Sequence, residues 1–345
     1  MPKTVGGRLL PPVLGLPQGI SVAHCVAQSG LKGLNLDQNS FEERLGEAGG
    51  AVEEALVALL DGAPGSCEIA RPARLNEAMR YATLAGGKRL RPFLLLETAR
   101  LFGADGANVR RAAAAVEFIH CYSLVHDDLP AMDNDDLRRG RPTTHRAYDE
   151  ATAILVGDSL LTLAFDALAH ERTDPDPAIR IALVVALARA AGIGGMAGGQ
   201  MLDLEAEGRF VADARPLSLS EHQILRLQAM KTGALLSAAV EMGAILGRAD
   251  ARARDAIRAY GHLLGQAFQI ADDLLDVESD TQTLGKAAGK DSGMGKATLV
   301  GLWGVTAARE RLEGLVSEAE RALAPFSESA AVLRQAARFV AERKS

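Results

Sequence analysis

The sequence predicts an all-α fold, and three observations carry that expectation. Apolar residues make up 48% of the 345 residues while aromatics make up only 4%. Long Ala/Leu-rich runs favour helix over strand. From Phe41 onward the apolar residues recur at helical spacing between Gly- and Pro-bearing breaks. The length alone allows one large or two ordinary domains. After residue 41, however, no stretch has the length or composition of a linker and no repeat has a solenoid period. Residues 41–345 are therefore expected to form a single all-helical domain.

Residues 9–31 carry no Lys, Arg, Asp or Glu, but Pro11, Pro12, Gly15, Pro17 and Gly19 interrupt them too often for a spanning helix or a secretion signal. Residues 1–40 are read as a poorly ordered tail, and no other stretch is expected to reach membrane-spanning length without charge or glycine. A first helix runs from Phe41 through Leu45, Val52, Leu56 and Leu60 to the Asp61–Gly65 break. A second follows Pro72 and ends at Gly86-Gly87, and a third opens with Pro92 as its first residue. The next covers 108–129 and should end or kink at Pro130. Further helices cover 149–170 and the stretch from 178 through the glycine-rich GIGGMAGGQMLDLEAEG, where close backbone packing would explain the glycines. Ser218 and Glu221 have capping-box spacing for a helix reaching Leu246, with a local break at Thr232-Gly233. A helix over 251–278 precedes a Lys- and Gly-bearing loop to about 297, and terminal helices close the chain.

The formal net charge of −6 argues against a protein that coats nucleic acid, whose binding face would make it basic. Three cysteines, Cys25, Cys67 and Cys121, lack paired metal spacing and are expected to be reduced thiols of a cytoplasmic protein.

Chemistry concentrates in HDDLPAMDNDDLRRG, residues 126–140. Carboxylates this close repel one another and call for a counter-ion, and hard oxygen ligands without neighbouring His or Cys favour Mg²⁺ over zinc. In DDLLD, Asp272 and Asp276 are four residues apart, so one helix face presents both, with Asp273 on the shoulder. Asp127 and Asp133 are six apart, about 240° round an ideal helix, so only a break at Pro130 brings Asp133 back beside Asp127. Two such faces turned toward each other could hold several Mg²⁺ ions and a diphosphate. Basic residues argue for two anionic ligands: Lys88 and Arg91 in a glycine-led turn before a helix, Arg138 and Arg139 after the first cluster, and Lys231, Lys286 and Lys296 nearer the second. His120, seven residues before Asp127, faces the same side.

The motifs GGKRLRP, FIHCYSLVHDDLPAMDNDDLRRG, GGQMLDLEAEG, KTGALL, FQIADDLLD and DTQTLGK resemble the trans-isoprenyl diphosphate synthases, specifically the short-chain bacterial farnesyl and geranylgeranyl type, over about residues 41–345. The resemblance implies antiparallel helices around a central apolar cavity, usually in a homodimer. It implies Mg²⁺, three ions per site, ligated by Asp127, Asp133 and Asp272 and supported by Asp128, Asp203, Asp273 and Asp276. Lys88, Arg91, His120 and Arg139 would hold isopentenyl diphosphate. Arg138, Lys231, Lys286 and Lys296 would hold the allylic diphosphate, with Thr232 and Gln269 beside the reacting carbons.

The product tail would run beside the helix that carries Asp127. Bulky Tyr122 and small Ser123, about one turn earlier, then set its length, and the ring favours fifteen carbons over twenty. A class I terpene cyclase is the nearest rival, but it would not need the second anion site of Lys88, Arg91 and Arg139. A non-catalytic partner subunit is the rival from another class, and it would be expected to lose metal ligands that are complete here.

Overall fold

In the computed structural model, residues 38–65, 68–213, 215–283 and 298–342 are described, and they are almost entirely helical. The tail assigned to residues 1–40 falls outside this range up to residue 37, as do Cys25, Cys67, Lys286 and Lys296. Helices α1 (Gln38–Leu60), α2 (Ala73–Thr83), α3 (Leu90–Leu101) and α4 (Ala107–Asp127) come first. A two-residue hairpin, Leu137–Arg138 against Arg141–Pro142, then leads through α5 (Thr144–Ala147) to α6 (Glu150–Ala169), α7 (Pro177–Ala191) and α8 (Met196–Ala206). Helix α9 (Glu221–Gln228) passes through a π turn, Ala229–Gly233, into α10 (Ala234–Leu246). Helices α11 (Ala251–Thr283), α12 (Leu299–Trp303), α13 (Val305–Ala322) and α14 (Ala331–Glu342) complete the chain.

Helix α4 lies inside, packed on α6, α3, α1 and α10, and α10 in turn packs on α3, α11 and α7. Four consecutive alanines, Ala112–Ala115, are wholly buried on α4 together with Phe118 and Ile119. A helix apolar all round is the pattern expected of a buried one, and small side chains let its neighbours approach closely. One charged pair is enclosed here: Arg89, in left-handed conformation at the start of α3, bonds Glu117 of α4 and the carbonyl of Thr83. Two buried charges are tolerable only in such a paired, hydrogen-bonded state.

Several boundaries differ from the sequence expectation for identifiable reasons. Helix α3 starts two residues before Pro92, because the Gly86–Arg89 segment turns through positive φ at Gly86, Gly87 and Arg89. The stretch from 178 is two helices, since the chain breaks at Gly192–Gly195. The cap of α9 is Ser220, whose backbone N–H donates to Gln223 at 2.9 Å, and not the Ser218–Glu221 pair. By length and mean hydropathy three helical stretches could cross a membrane, Glu150–Ala169, Pro177–Ala206 and Glu221–Leu246, although each carries both charge and glycine. Within the fold their apolarity serves helix packing: α6 lies on α4, and α10 lies between α3 and α11.

Candidate active site

The first aspartate cluster sits where α4 ends. Asp127 is the last helical residue and Pro130 stops the ladder, after which the chain curls back so that the Asp133 N–H donates to the Asp127 carbonyl at 2.8 Å. A second bond, from Asn134 N–H to Leu129 O at 3.1 Å, closes the turn. The expected return of Asp133 to Asp127 is therefore a hydrogen-bonded feature of the backbone. A residue to which the sequence reading gave no role anchors this turn from outside. Arg209, in the loop after α8, donates to the carbonyl of Ala131 at 3.0 Å and to that of Met132.

Downstream, Arg138 grips the buried Asp128, with Nε 3.0 Å from its carboxylate, and also reaches Asp135 at 3.4 Å. Asp136 pairs with Arg146 at 3.0 Å. Asp128 and Arg138 thus engage each other, where the motif alone assigned one to metal and the other to a diphosphate. Arg139 turns to the opposite side, donates to the Gly86 carbonyl and lies against Gly87. Gly87 has φ +127, and a Cβ there would meet the Arg139 guanidinium at 2.5 Å. The glycines therefore do two tasks, making the turn and admitting the arginine. Lys88 on this turn lies over the Phe339 ring at 5.7 Å, and Arg91 over Phe268 of α11 at 5.9 Å. His120 lies close to Arg91 and Arg139. Its burial first, and then those positive charges, push its pKa well down.

The π turn is the meeting point of the remaining site residues. Lys231 pairs with Asp203 of α8, and its charge also acts on Asp127. A Cβ at Gly199 would collide with the backbone of Lys231, and one at Gly265 of α11 would stand 2.8 Å from the Gly233 Cα. The glycines of GGQ thus admit a neighbouring backbone, as their density suggested. π turns recur at functional sites, where the irregular ladder frees backbone groups.

Gln228, just before the turn, donates its amide to Asp273 at 2.9 Å, and Gln269 donates to the other oxygen at 3.0 Å. The Leu299 backbone N–H also bonds Asp273. Burial raises the Asp273 pKa, and these donors partly offset it. Asp273 is 5% exposed. Both its oxygens thus accept from amide N–H donors, where the sequence reading had it as a metal support on the shoulder of a chelating face. Asp272 and Asp276 remain toward the outside of α11, half-buried and exposed respectively.

Tyr122 is half-buried and close enough to Asp127 that the carboxylate, after burial, helps raise its pKa. Its ring meets His126 edge-on at 5.9 Å, and His126 lies directly over Gly157 of α6. Ser123 donates to the His120 carbonyl at 2.9 Å. A separate cavity of about 880 Å³ lies at the other end of α4 and α6, between Leu59, Leu75, Met79, Arg111 and Leu163, and shares none of these residues.

Among the described residues no three Asp, Glu, His or Cys side chains converge as a ready cation cage. The donor set still suits Mg²⁺, which commonly takes one or two carboxylates and completes its shell with phosphate oxygens and water. Asp127 bears the mark of missing positive charge: burial first, then Asp133 and Asp128, raise its pKa to about 6 against the pull of Lys231 and Arg138.

Helices enclosing acidic and cationic clusters at one end of α4 and α11 define an all-α isoprenoid synthase fold. The polyprenyl synthetase profile matches residues 72–331. The farnesyl diphosphate synthase of Geobacillus stearothermophilus is 43% identical over 309 residues, 89% of this chain and 99% of that one. Geranylgeranyl pyrophosphate synthase 9 of Arabidopsis thaliana is 45% identical over 77% of this chain and 73% of its own. Among solved structures, an FPP/GFPP synthase from Zymomonas mobilis superimposes with a TM-score of 0.76 at 41% identity, covering 88% and 99% of the two chains. The chain belongs to the polyprenyl synthetase family.

Asp127 supplies a pH test. Its carboxyl titrates near 6 instead of 3.8, so the folded state holds the proton more tightly than the unfolded chain. The resulting stabilisation is complete below about pH 4 and is lost as pH rises through about 6. In metal-free protein Asp127→Asn should therefore raise stability by about 3 kcal/mol above pH 7 and leave it unchanged near pH 4. Thermal melts at both pH values check this, and an equal shift at both would contradict the assignment.

Proposed function

We propose that this prenyltransferase condenses isopentenyl diphosphate head-to-tail with dimethylallyl or geranyl diphosphate, in the presence of Mg²⁺, to give farnesyl diphosphate and free diphosphate. The observation that carries the reading is the π turn as a link: Lys231 acts on Asp127, Gln228 just before the turn bonds Asp273 of α11, and Arg91 of the cationic turn lies over Phe268 of α11 and close to His120. Farnesyl diphosphate synthases among its relatives support the fifteen-carbon product, and the geranylgeranyl synthases keep twenty carbons as the alternative.

The chemical task is to break an allylic carbon–oxygen bond inside a protein. Asp127, Asp133 and Asp272 would hold Mg²⁺, which neutralises charge on the departing diphosphate when bound. Lys231, with Arg138, Lys286 and Lys296, would add positive charge for that diphosphate. Lys88, Arg91, Arg139 and His120 hold the second diphosphate. The allylic cation needs dipoles that do not attack it. The Thr232 hydroxyl and the Gln269 amide oxygen meet that need, while apolar walls keep water away. The double bond of isopentenyl diphosphate attacks the cation, and the proton lost from the adduct passes to the released diphosphate, since no side-chain base stands ready among the described residues.

Tyr122 and Ser123 on α4 form the floor of the tail cavity in this reading, with residues 41–345 as the catalytic domain. We place the chain in the cytoplasm, where Cys121 stays a free, buried thiol. A homodimer is part of the same proposal. Ile181 and Val185 of α7 and Ile154 and Leu155 of α6 leave large apolar side chains exposed on adjacent helices, a face suited to a second copy.

Purified protein supplied with Mg²⁺ and both substrates should yield a linear C15 diphosphate, identified by chromatography and mass spectrometry. A cyclic hydrocarbon or no turnover would instead favour the cyclase or the partner subunit. Asp127→Ala and Asp272→Ala should each lower kcat by orders of magnitude with an unchanged circular dichroism spectrum. Tyr122→Ala should shift the product toward twenty carbons or more, whereas an unchanged distribution removes the ring as the floor. Ile181→Asp should convert a dimer to a monomer in light scattering, and a wild-type chain that already runs as a monomer would end that part of the proposal.

A further inference from the structure

The second aspartate cluster contains one carboxylate that the structure uses differently from its neighbours. Asp273 is nearly inaccessible, and three donors surround it: the amides of Gln228 and Gln269 and the backbone N–H of Leu299. Those donors come from three places. Gln228 stands immediately before the π turn that carries Lys231 and Thr232, Gln269 lies one turn earlier on α11, and Leu299 opens α12. We propose that Asp273 is a positioning residue that sets the Gln269 amide and ties the π turn to α11, and that Gln228 is its partner in doing so.

The argument is one of donors and acceptors. An ionised carboxylate only accepts, so each glutamine must turn its NH₂ group toward Asp273. With the Gln269 nitrogen committed, its oxygen is the end left to face an allylic cation, where a dipole of that sign is required. A freely rotating glutamine would present nitrogen about as readily as oxygen. Gln228 performs the matching task for the backbone. It is 8% exposed, and its bond to α11 holds the residue that leads into a turn packed on α11, where Gly233 and Gly265 approach closely. Loss of either glutamine bond would leave a buried polar group unsatisfied, which is costly enough to force local rearrangement. Charge on the carboxylate is satisfied by hydrogen bonds alone, so no metal need reach it.

This inference rests on the proposed prenyl transfer, and the variants separate the two. Asp273→Asn offers one acceptor and one donor where two acceptors stood, so one glutamine must flip. The expected result is a fall in kcat of about tenfold or more, with both KM values and the Mg²⁺ concentration for half-activation within about threefold of wild type. Calorimetric titration of Mg²⁺ with inorganic diphosphate should give the same affinity for Asp273→Asn as for wild type. Gln228→Met, which keeps the length and removes the amide, should lower kcat in the same direction. The double variant should be no slower than Asp273→Asn, because residues acting through one carboxylate are not additive.

A rise of tenfold or more in the Mg²⁺ requirement or the calorimetric Kd of Asp273→Asn would make Asp273 a metal ligand and overturn the proposal. So would a silent Gln228→Met or a fully additive double variant. Gln228→Met carries the test should Asp273→Asn not fold. Gln269→Met is the control for the underlying chemistry. If it retains wild-type kcat, the role given to Gln269 fails; if it is slow while Asp273→Asn and Gln228→Met are normal, only the present inference fails.

Discussion

Backbone-to-backbone contact at the π turn is the constraint on which the rest of the site depends. Ala229–Gly233 is approached from α8 by Gly199 and from α11 by Gly265, at distances that leave no room for a Cβ. Three helices that are remote in sequence are thereby held within reach of one lysine, whose ammonium meets Asp203 and acts on Asp127. Side-chain packing can slide by several tenths of an ångström as rotamers adjust. Backbone atoms in contact cannot, and positioning of that order is what a reaction through a short-lived cation demands.

Electrostatics follows from this geometry. The acidic groups are not equivalent, although the motifs present them as repeats. Asp127 is buried beside Asp133 and lacks positive charge, so it is the natural place for a cation to bind. Asp128 is already neutralised by Arg138 and Asp273 by amides, while Asp135 and Asp136 have surface arginines. Of five aspartates between residues 127 and 136, the fold leaves Asp127 and Asp133 side by side through a backbone bond. Repulsion stored between them is available to a divalent ion as binding energy.

Much of this was legible in the sequence because local signals were strong. Pro130 forced a break, and Asp133 could reach Asp127 only through it. Thr232-Gly233 inside an apolar run marked the π turn, and glycines in GGQ marked a close approach. Signals failed where the determining contact was distant. Arg209 clamps a turn 77 and 78 residues upstream, and although it directly follows GGQMLDLEAEG, that motif does not reveal which turn it reaches. Helical spacing put Asp273 on the shoulder of a chelating face, but a helical wheel does not reveal which neighbour lies against that shoulder. The continuous helix expected over Gly192–Gly195 and the cap placed at Ser218 failed for a similar reason, since both patterns tolerate the alternative locally.

The contact between His126 and Gly157 has a consequence for how such an enzyme could change over evolutionary time. Position 157 belongs to α6, yet any side chain there would strike the imidazole that braces Tyr122 before it met anything else. On the proposed role of Tyr122 as the floor of the cavity, a regulator of product size would lie on a neighbouring helix, outside every acidic motif. A lineage could retune its product by altering that glycine while every charged residue of the reaction centre stayed as it was.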